Sequence, residues 1–549
     1  MHKYWFYCII FVIFALLKAN KMNLSADDLE LLRSKGIDCE DVNKQIALLS
    51  TGVPQPQLLR AVSVGDGIKL IEEKKIAEYV AIWDAYLSRA KREVTHFIPA
   101  SGESNRFLRD LKAFLDADYD TPQTNFEKNF FKHLPSFAFF TELNKCCLEK
   151  TGQDVEDLLE VGHYKTVVRI MLMPEGLNYQ ALPTALFKFH TDQSHRLQKF
   201  LPKKLAKYYS SFEDIRTPLQ ENLYESAMIS GVKGNVLNIC YTVQPQYRDI
   251  IRDYLRDFKL PVEKKMGVSL AITLPQQTDE TCAVVLTQDN KLFRDENGQL
   301  VLTQQGHGSL LPILNTLKGN VIFIKNIDNA TPDPLKKLSV RYKKLLAGIM
   351  VDTQKKINRY LRMLEKDDMP DDKLIEIIHF VENHLNVKRP NILRLERTEQ
   401  IAYLISKLNR PLRVCGVVTN EDEQGGVPCW VNSADGTQSL QFVEYHQVAG
   451  NPELTKLFNA STHFNPVDMV CYVNDYKGRR FDFTQFADQD AYMILNKEVN
   501  GTPIKQLEMP GLWNGGMANW NTLLIEVPIK TFNPVKTIND LLRHEHQNT

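Results

Sequence analysis

Four consecutive apolar residues, Val321-Ile322-Phe323-Ile324, stop abruptly at Lys325-Asn326-Ile327-Asp328-Asn329, and this edge constrains the chain more than any other feature. A short apolar run followed at once by polar turn formers reads as a buried strand whose end opens on a loop. The pattern recurs. "REVTHFIPASGESNRFLRDLKAFL" predicts a strand ending at Pro99, a small-residue loop and a helix from about Asn105, and apolar strands are expected within Tyr164 to Met173 and Asn235 to Val243. Strand, loop and helix in alternation require an α/β layer architecture around a parallel or mixed sheet.

The chain has 549 residues, 43% of them apolar and 24% charged, enough for two or three domain-sized units with a large core. The expected organisation is an apolar leader (1–21), an N-terminal helical region (22–90), a core (91–332), a helical insertion (333–398) and a C-terminal α/β part (399–549). The insertion is read from long helical periods such as "LKKLSVRYKKLLAGIMVDTQKKINRYLRMLEK", and the last part from short strands and Gly/Pro/Asn turns. Basic and acidic residues balance at 67 each, so no overall field draws the chain to nucleic acid or to a membrane surface. An anionic ligand must therefore be held locally.

Nine scattered cysteines, with Cys146-Cys147 as the one close pair, fit a reducing compartment, and the thirteen histidines never approach two cysteines in zinc-ligand spacing. The apolar run Tyr4 to Leu17 is shorter than the ~20 residues of a membrane-spanning helix. Ser25-Ala26-Asp27-Asp28 reads as a capping-box helix start. The expectation is a cytoplasmic protein working from Met22, with export or anchoring through residues 4–17 as the alternative.

Several stretches carry candidate chemistry. The loop Pro99 to Arg106 lies between a strand and a helix, where backbone N–H groups, one glycine and an arginine suit a polyphosphate, or where a plain turn suffices. In Gly306-His307-Gly308 two glycines flank a side chain that donates or accepts near neutral pH. Asp328 stands at a strand's carboxyl end, where α/β sheets place ligands, and suits a hard divalent cation. Glu444 in "QSLQFVEYHQ" lies on an apolar strand, Asn465 in "THFNPVDMVCYV" stands just before another, and Lys536 in "TFNPVKTINDLL" can neutralise a phosphate. Trp513 and Trp520 in "PGLWNGGMANWN" suit a sugar or base, or a packed turn.

Taken in order, these stretches resemble the UDP-glucose and UDP-N-acetylhexosamine pyrophosphorylases, and most closely a bacterial domain-of-unknown-function family related to them. The resemblance runs through "PASGESNRF", "QQGHGSL", "FIKNIDN", "SLQFVEYHQV", "LFNASTHFNPVDMVCYV" and "VPIKTFNPVKTINDLL". It implies a GT-A/Rossmann-like mixed-sheet nucleotidyltransferase core and transfer, of uridylyl in the first instance, from a nucleoside triphosphate to a sugar 1-phosphate with Mg²⁺. Carried over residue by residue, Arg106 and Lys536 would be catalytic. Ala100, Ser101, Gly102, Ser104, Gln276 (or Gln277), Gly306, His307 and Gly308 would line the nucleotide side, Glu444 and Asn465 would meet the sugar, and Asp328 would bind the metal. Thr184 stands where the resemblance expects a lysine, with Lys188 four residues on, and the nucleotide loop has one glycine where relatives have several. These departures give the alternative of a catalytically reduced protein that binds a nucleotide or sugar phosphate.

Overall fold

The computed structural model describes residues 24–89, 93–100, 105–191, 215–366, 369–420, 425–499 and 501–547. The expected apolar leader and the loop residues Ser101, Gly102 and Ser104 lie outside them. Seven strands carry the site: β1 (Val94–Pro99), β2 (Val236–Thr242), β3 (Ser269–Thr273), β4 (Val321–Ile324), β5 (Leu412–Thr419), β6 (Met469–Tyr472) and β7 (Asn521–Glu526). Their spatial order is β3-β2-β1-β4-β6-β5-β7, with Gly67–Lys69 and Ser63–Val64 continuing the edge beyond β7. β6 runs antiparallel to both its neighbours, while β1, β2, β3 and β4 are mutually parallel. The fold is α/β with a mixed sheet.

This order has a functional consequence. From β1 the chain moves outward to β2 and β3, then returns to lay β4 on the other side of β1, with Val321 opposite Val94 and Ile324 opposite Phe97. The carboxyl ends of β1 and β4 therefore lie side by side at the point where strand order reverses, the place where open α/β sheets leave a crevice. Asn326 and Asp328, after Ile324, border it.

Four helices matter for packing: α1 (Glu73–Leu87), α2 (Asn105–Asp116), α3 (Pro218–Ser230) and α4 (Asp333–Leu364). α4, expected as part of an insertion, lies across the main sheet, packed on β5, β6, α1 and α3. Trp83 of α1 is fully buried, sets its ring edge on Phe323 of β4 and donates its indole N–H to the Ile229 carbonyl at 2.9 Å. The N-terminal region has helices at Ala26–Ser34, capped by Ser25 and Asp28 as expected, and at Cys39–Thr51, but Leu58–Ala61 and Gly67–Lys69 are strands.

The strand expected within Tyr164 to Met173 is instead a helix, Tyr164–Leu172. Val167, Val168, Ile170, Met171 and Leu172 are all buried in a phenylalanine-rich cluster with Phe107, Phe114, Phe130 and Phe131. A short run apolar on every face does not distinguish a strand from an enveloped helix, and here tertiary packing decides.

Beneath the β4 edge sits a cluster of buried charges. Glu225 of α3 accepts from Ser339 Oγ at 2.6 Å and Lys343 Nζ at 2.9 Å and pairs with Lys325 at the end of β4; Lys343 also lies 3.3 Å from Asp468 Oδ1, just before β6. Burial alone would raise the Glu225 carboxyl, but attraction by Lys325 and Lys343 overrides it and holds the group below its ordinary value of 4.5. A carboxyl depressed in the folded state contributes stability that is fully present above that ordinary value and is lost as pH falls through the folded one. Glu225→Ala is expected to cost about 3–5 kcal/mol, because the buried Lys325 ammonium loses its paired carboxylate and Lys343 keeps only Asp468. Denaturant unfolding at neutral pH checks this, and the variant should also lose stability less steeply than wild type on acidification below pH 4.5.

Candidate functional site

The loop after β4 forms the floor of a cavity of about 190 Å³ lined by Asn326, Asp328, Gly425, Gly426, Glu444, Asn465, Val467, Trp513 and Lys536 among others. The backbone of Asp328 is fixed from the far end of the chain. Its carbonyl accepts from Val535 N–H at 3.0 Å, while Asn329 Oδ1 takes the Asn533 N–H at 2.9 Å. This clip brings Lys536 into the cavity. The next turn is held by Asp540, whose Oδ2 accepts the backbone N–H groups of Lys536 and Thr537 at 2.8 and 2.7 Å.

Charge is concentrated on this side. Burial raises the Asp328 carboxyl above its ordinary value, and the charge of Lys536, backbone hydrogen bonds and the charge of Arg106 offset part of that rise. Arg106 stands exposed in the first turn of α2, directly after the loop that follows β1. Residues 106, 328 and 536 thus share one electrostatic environment at the reversal of strand order.

The same cavity is lined by groups of a different kind. Glu444 follows the strand Gln438–Val443 and caps the short helix Tyr445–Val448 rather than lying within the strand. Its Oε1 accepts the Gly426 N–H at 3.2 Å, and a Cβ at Gly425 would stand 2.7 Å from Oε2, so a larger residue there would displace the carboxyl. Burial, opposed by the Gly426 bond and reinforced by the charge of Glu508, pushes the Glu444 carboxyl up to about 8. At neutral pH it is a hydrogen-bearing acid rather than an anion.

Asn465 is 3% exposed and heavily engaged. Its Nδ2 donates to the Gly416 carbonyl at 2.6 Å, and its Oδ1 accepts from Val467 N–H and Trp513 Nε1, both at 3.1 Å. Both ends of the amide thus bond to protein, and Asn465 is part of the cavity wall. The Ala100 N–H donates to the Thr242 carbonyl at 3.0 Å and extends the sheet.

The Gly306-His307-Gly308 turn is not among the cavity-lining residues. Gly306 has φ +58°, and a Cβ there would fall 2.3 Å from Glu508 Oε2, so its glycine is explained by packing on the segment from Glu508 to Gly511. The His307 ring meets Trp513 edge-on at 4.8 Å, one layer behind the cavity, and burial lowers its imidazole to about 4. Gln276 bridges to Val243 beyond β2, and Gln277 donates to Ser309 Oγ of the same turn at 2.8 Å. Thr184 is half-buried at the start of a short 3-10 turn, and Lys188 is paired with Glu142. Sequence reasoning missed Asn326, Gly425, Gly426 and Val467. The adjacent glycines of "EDEQGGVP" were the available signal.

Residues 25–200 and 198–547 match the family described as Domain of unknown function (DUF4301). The chain belongs to the DUF4301 family. No curated protein matches it. Among solved structures, this DUF4301 chain is similar to the crystal structure of UDP-glucose phosphorylase from Trypanosoma brucei, at 12% identity over 94% of this chain and 80% of that one, with a TM-score of 0.41.

Among the described residues no group of three or more histidine, cysteine, aspartate or glutamate side chains could hold a metal. Among the described residues that line the cavity, the carboxyl groups are those of Asp328 and Glu444. No helix among the described residues is long and apolar enough to cross a membrane.

The raised Glu444 carboxyl makes a pH prediction. A group whose folded value lies above its ordinary 4.5 contributes stability fully present below that value and lost as pH rises through about 8. Glu444→Gln keeps an oxygen for Gly426 but cannot ionise. Its unfolding free energy should fall less than that of wild type between pH 5 and 9, and equal steepness in the two proteins would contradict the assignment.

Proposed function

We propose that the cavity at the reversal of strand order binds a nucleoside triphosphate and a sugar 1-phosphate and transfers a nucleotidyl group between them. The observation that carries this reading is that Asp328, after the carboxyl end of β4, lines one cavity with Lys536 and feels the charge of Arg106, while Glu444 on the same cavity is pushed toward its acid form by burial. An anion and an uncharged polyol each find a matching side.

In the proposed reaction an ionised oxygen of the sugar 1-phosphate attacks the α-phosphorus of the triphosphate in line. The new P–O bond forms as the bond to the β-phosphate oxygen breaks, and pyrophosphate leaves with that electron pair. No protein nucleophile is needed, so the side chains act by position and charge. Lys536 offsets the charge that grows on the transferring phosphoryl group, and Arg106 holds the triphosphate at its exposed end. Glu444 in its acid form donates to a sugar hydroxyl. Mg²⁺, held by Asp328, would supply neutralisation of the phosphate oxygens when bound. The uridine preference rests on the six-segment order of the sequence.

A second reading, a binding protein with reduced catalysis, is favoured by Thr184 at the expected lysine position and by Lys188 being paired with Glu142. Pyrophosphate release across a panel of sugar 1-phosphates, with UTP and Mg²⁺, separates the two. Under the enzymatic reading, Lys536→Ala is expected to lower turnover by about 10²-fold or more, as for loss of other fixed groups facing transition-state charge. Asp328→Ala should abolish the Mg²⁺-dependent rate. UTP binding with no pyrophosphate from any partner leaves the binding reading, and wild-type rates in both variants overturn the site assignment.

A further inference from the structure

Trp513 lines the cavity with its indole fixed from several directions. Its Nε1 donates to Asn465 Oδ1 at 3.1 Å, and His307 packs against it at 86°. Its Cδ1 lies close enough to Gly426 that a Cβ there would stand at 3.0 Å. The same Asn465 oxygen accepts the N–H of Val467, a β-branched residue at φ +75°. L-residues avoid that region, β-branched ones most of all, and such strain persists only where the surroundings over-determine it. Val467 also lines the cavity. One amide oxygen therefore ties a strained turn to an immobilised aromatic ring, and both face the space beside Glu444.

Deepening the reading proposed above, and resting on it, we infer that Trp513 is the specificity-determining contact of this cavity, a rigid aromatic wall for the carbon–hydrogen face of the sugar ring that carries the phosphate, with Asn465 and Val467 as positioning residues. An indole offers a large apolar face at little cost in side-chain freedom, because the ring is already held. The charged groups lie on the Asp328–Lys536 side, so the phosphate goes there and the uncharged ring is left to the Trp513–Glu444 side. A nucleobase is the competing occupant, and the test distinguishes it.

Calorimetric titration of the full chain with UTP and, separately, with α-glucose 1-phosphate and its N-acetylamino analogue reads the assignment directly. Trp513→Phe should weaken binding of at least one sugar 1-phosphate by about tenfold while UTP affinity stays within about twofold. Retained UTP binding also shows that the variant is folded. Sugar phosphate should perturb tryptophan fluorescence in wild type and not in Trp513→Phe. Val467→Gly relieves the strained φ, so it should keep or raise thermal stability while weakening sugar 1-phosphate binding, a combination that a merely structural turn would not give. Unchanged sugar 1-phosphate affinity in Trp513→Phe overturns the inference. Selective loss of UTP affinity also overturns it and assigns the wall to the base. Wild type that binds UTP but neither sugar phosphate overturns it while sparing the nucleotide half of the proposed function, and wild type that binds none of them removes both.

Discussion

The buried charges Glu225, Lys325, Lys343 and Asp468 join α3, α4, the end of β4 and the start of β6, the elements on which the candidate site is built. Burying two cations and two anions is costly, and their mutual attraction compensates only when each finds a partner at close range. Burial lowers the Lys325 ammonium to about 8 even with Glu225 beside it, which measures how dry the cluster is. Such a network gives little net stability compared with apolar packing, but it penalises any shift that separates a charge from its partner. The turn after Lys325 is therefore held where Asp328 reaches the cavity.

The second constraint is the clip between this turn and the C-terminal segment. Asn533 and Val535 donate backbone N–H groups to Asn329 Oδ1 and the Asp328 carbonyl, and a further bridge joins Asn329 to Pro534. The cavity's cationic group thus comes from residue 536 and its anionic group from residue 328, brought together by main-chain bonds rather than by their own attraction. This pairing closes a separation of 204 residues between Asn329 and Asn533. It also fixes charged groups in a cavity that Glu444 and Trp513 line as well, an arrangement suited to a ligand with an anionic end and a polyol end.

What was legible in the sequence was what is local. The apolar edge at Val321 to Ile324, the strand ending at Pro99, the helix from Asn105 and the cap at Ser25 each depend on a few neighbouring residues, and the structure has them where the pattern placed them. Asp328, Glu444, Asn465 and Lys536 could be named from a resemblance in order, and they do line one cavity. Their states could not. The raised Glu444 carboxyl depends on burial and on Glu508, and the engagement of the Asn465 amide depends on Gly416 and Trp513. The helix at Tyr164–Leu172 was misread because its envelope of phenylalanines comes from other parts of the chain.

The glycines of the Gly-His-Gly turn have a packing role. Gly306 has φ +58° and Glu508 fills the place of its side chain, and at Gly511 a Cβ would stand 2.2 Å from His307 Nδ1. The imidazole, held neutral by burial, then supports Trp513 from behind. A histidine in that position influences a ligand through the rigidity of the ring in front of it. The chain of contact runs from the turn at 306–308 through Trp513 to Asn465 and Val467, so the segments that the sequence order brought together are linked by packing as well as by a shared cavity. That link is what a fixed wall requires, because an aromatic face selects a ring by shape only when its own position is not free to adapt.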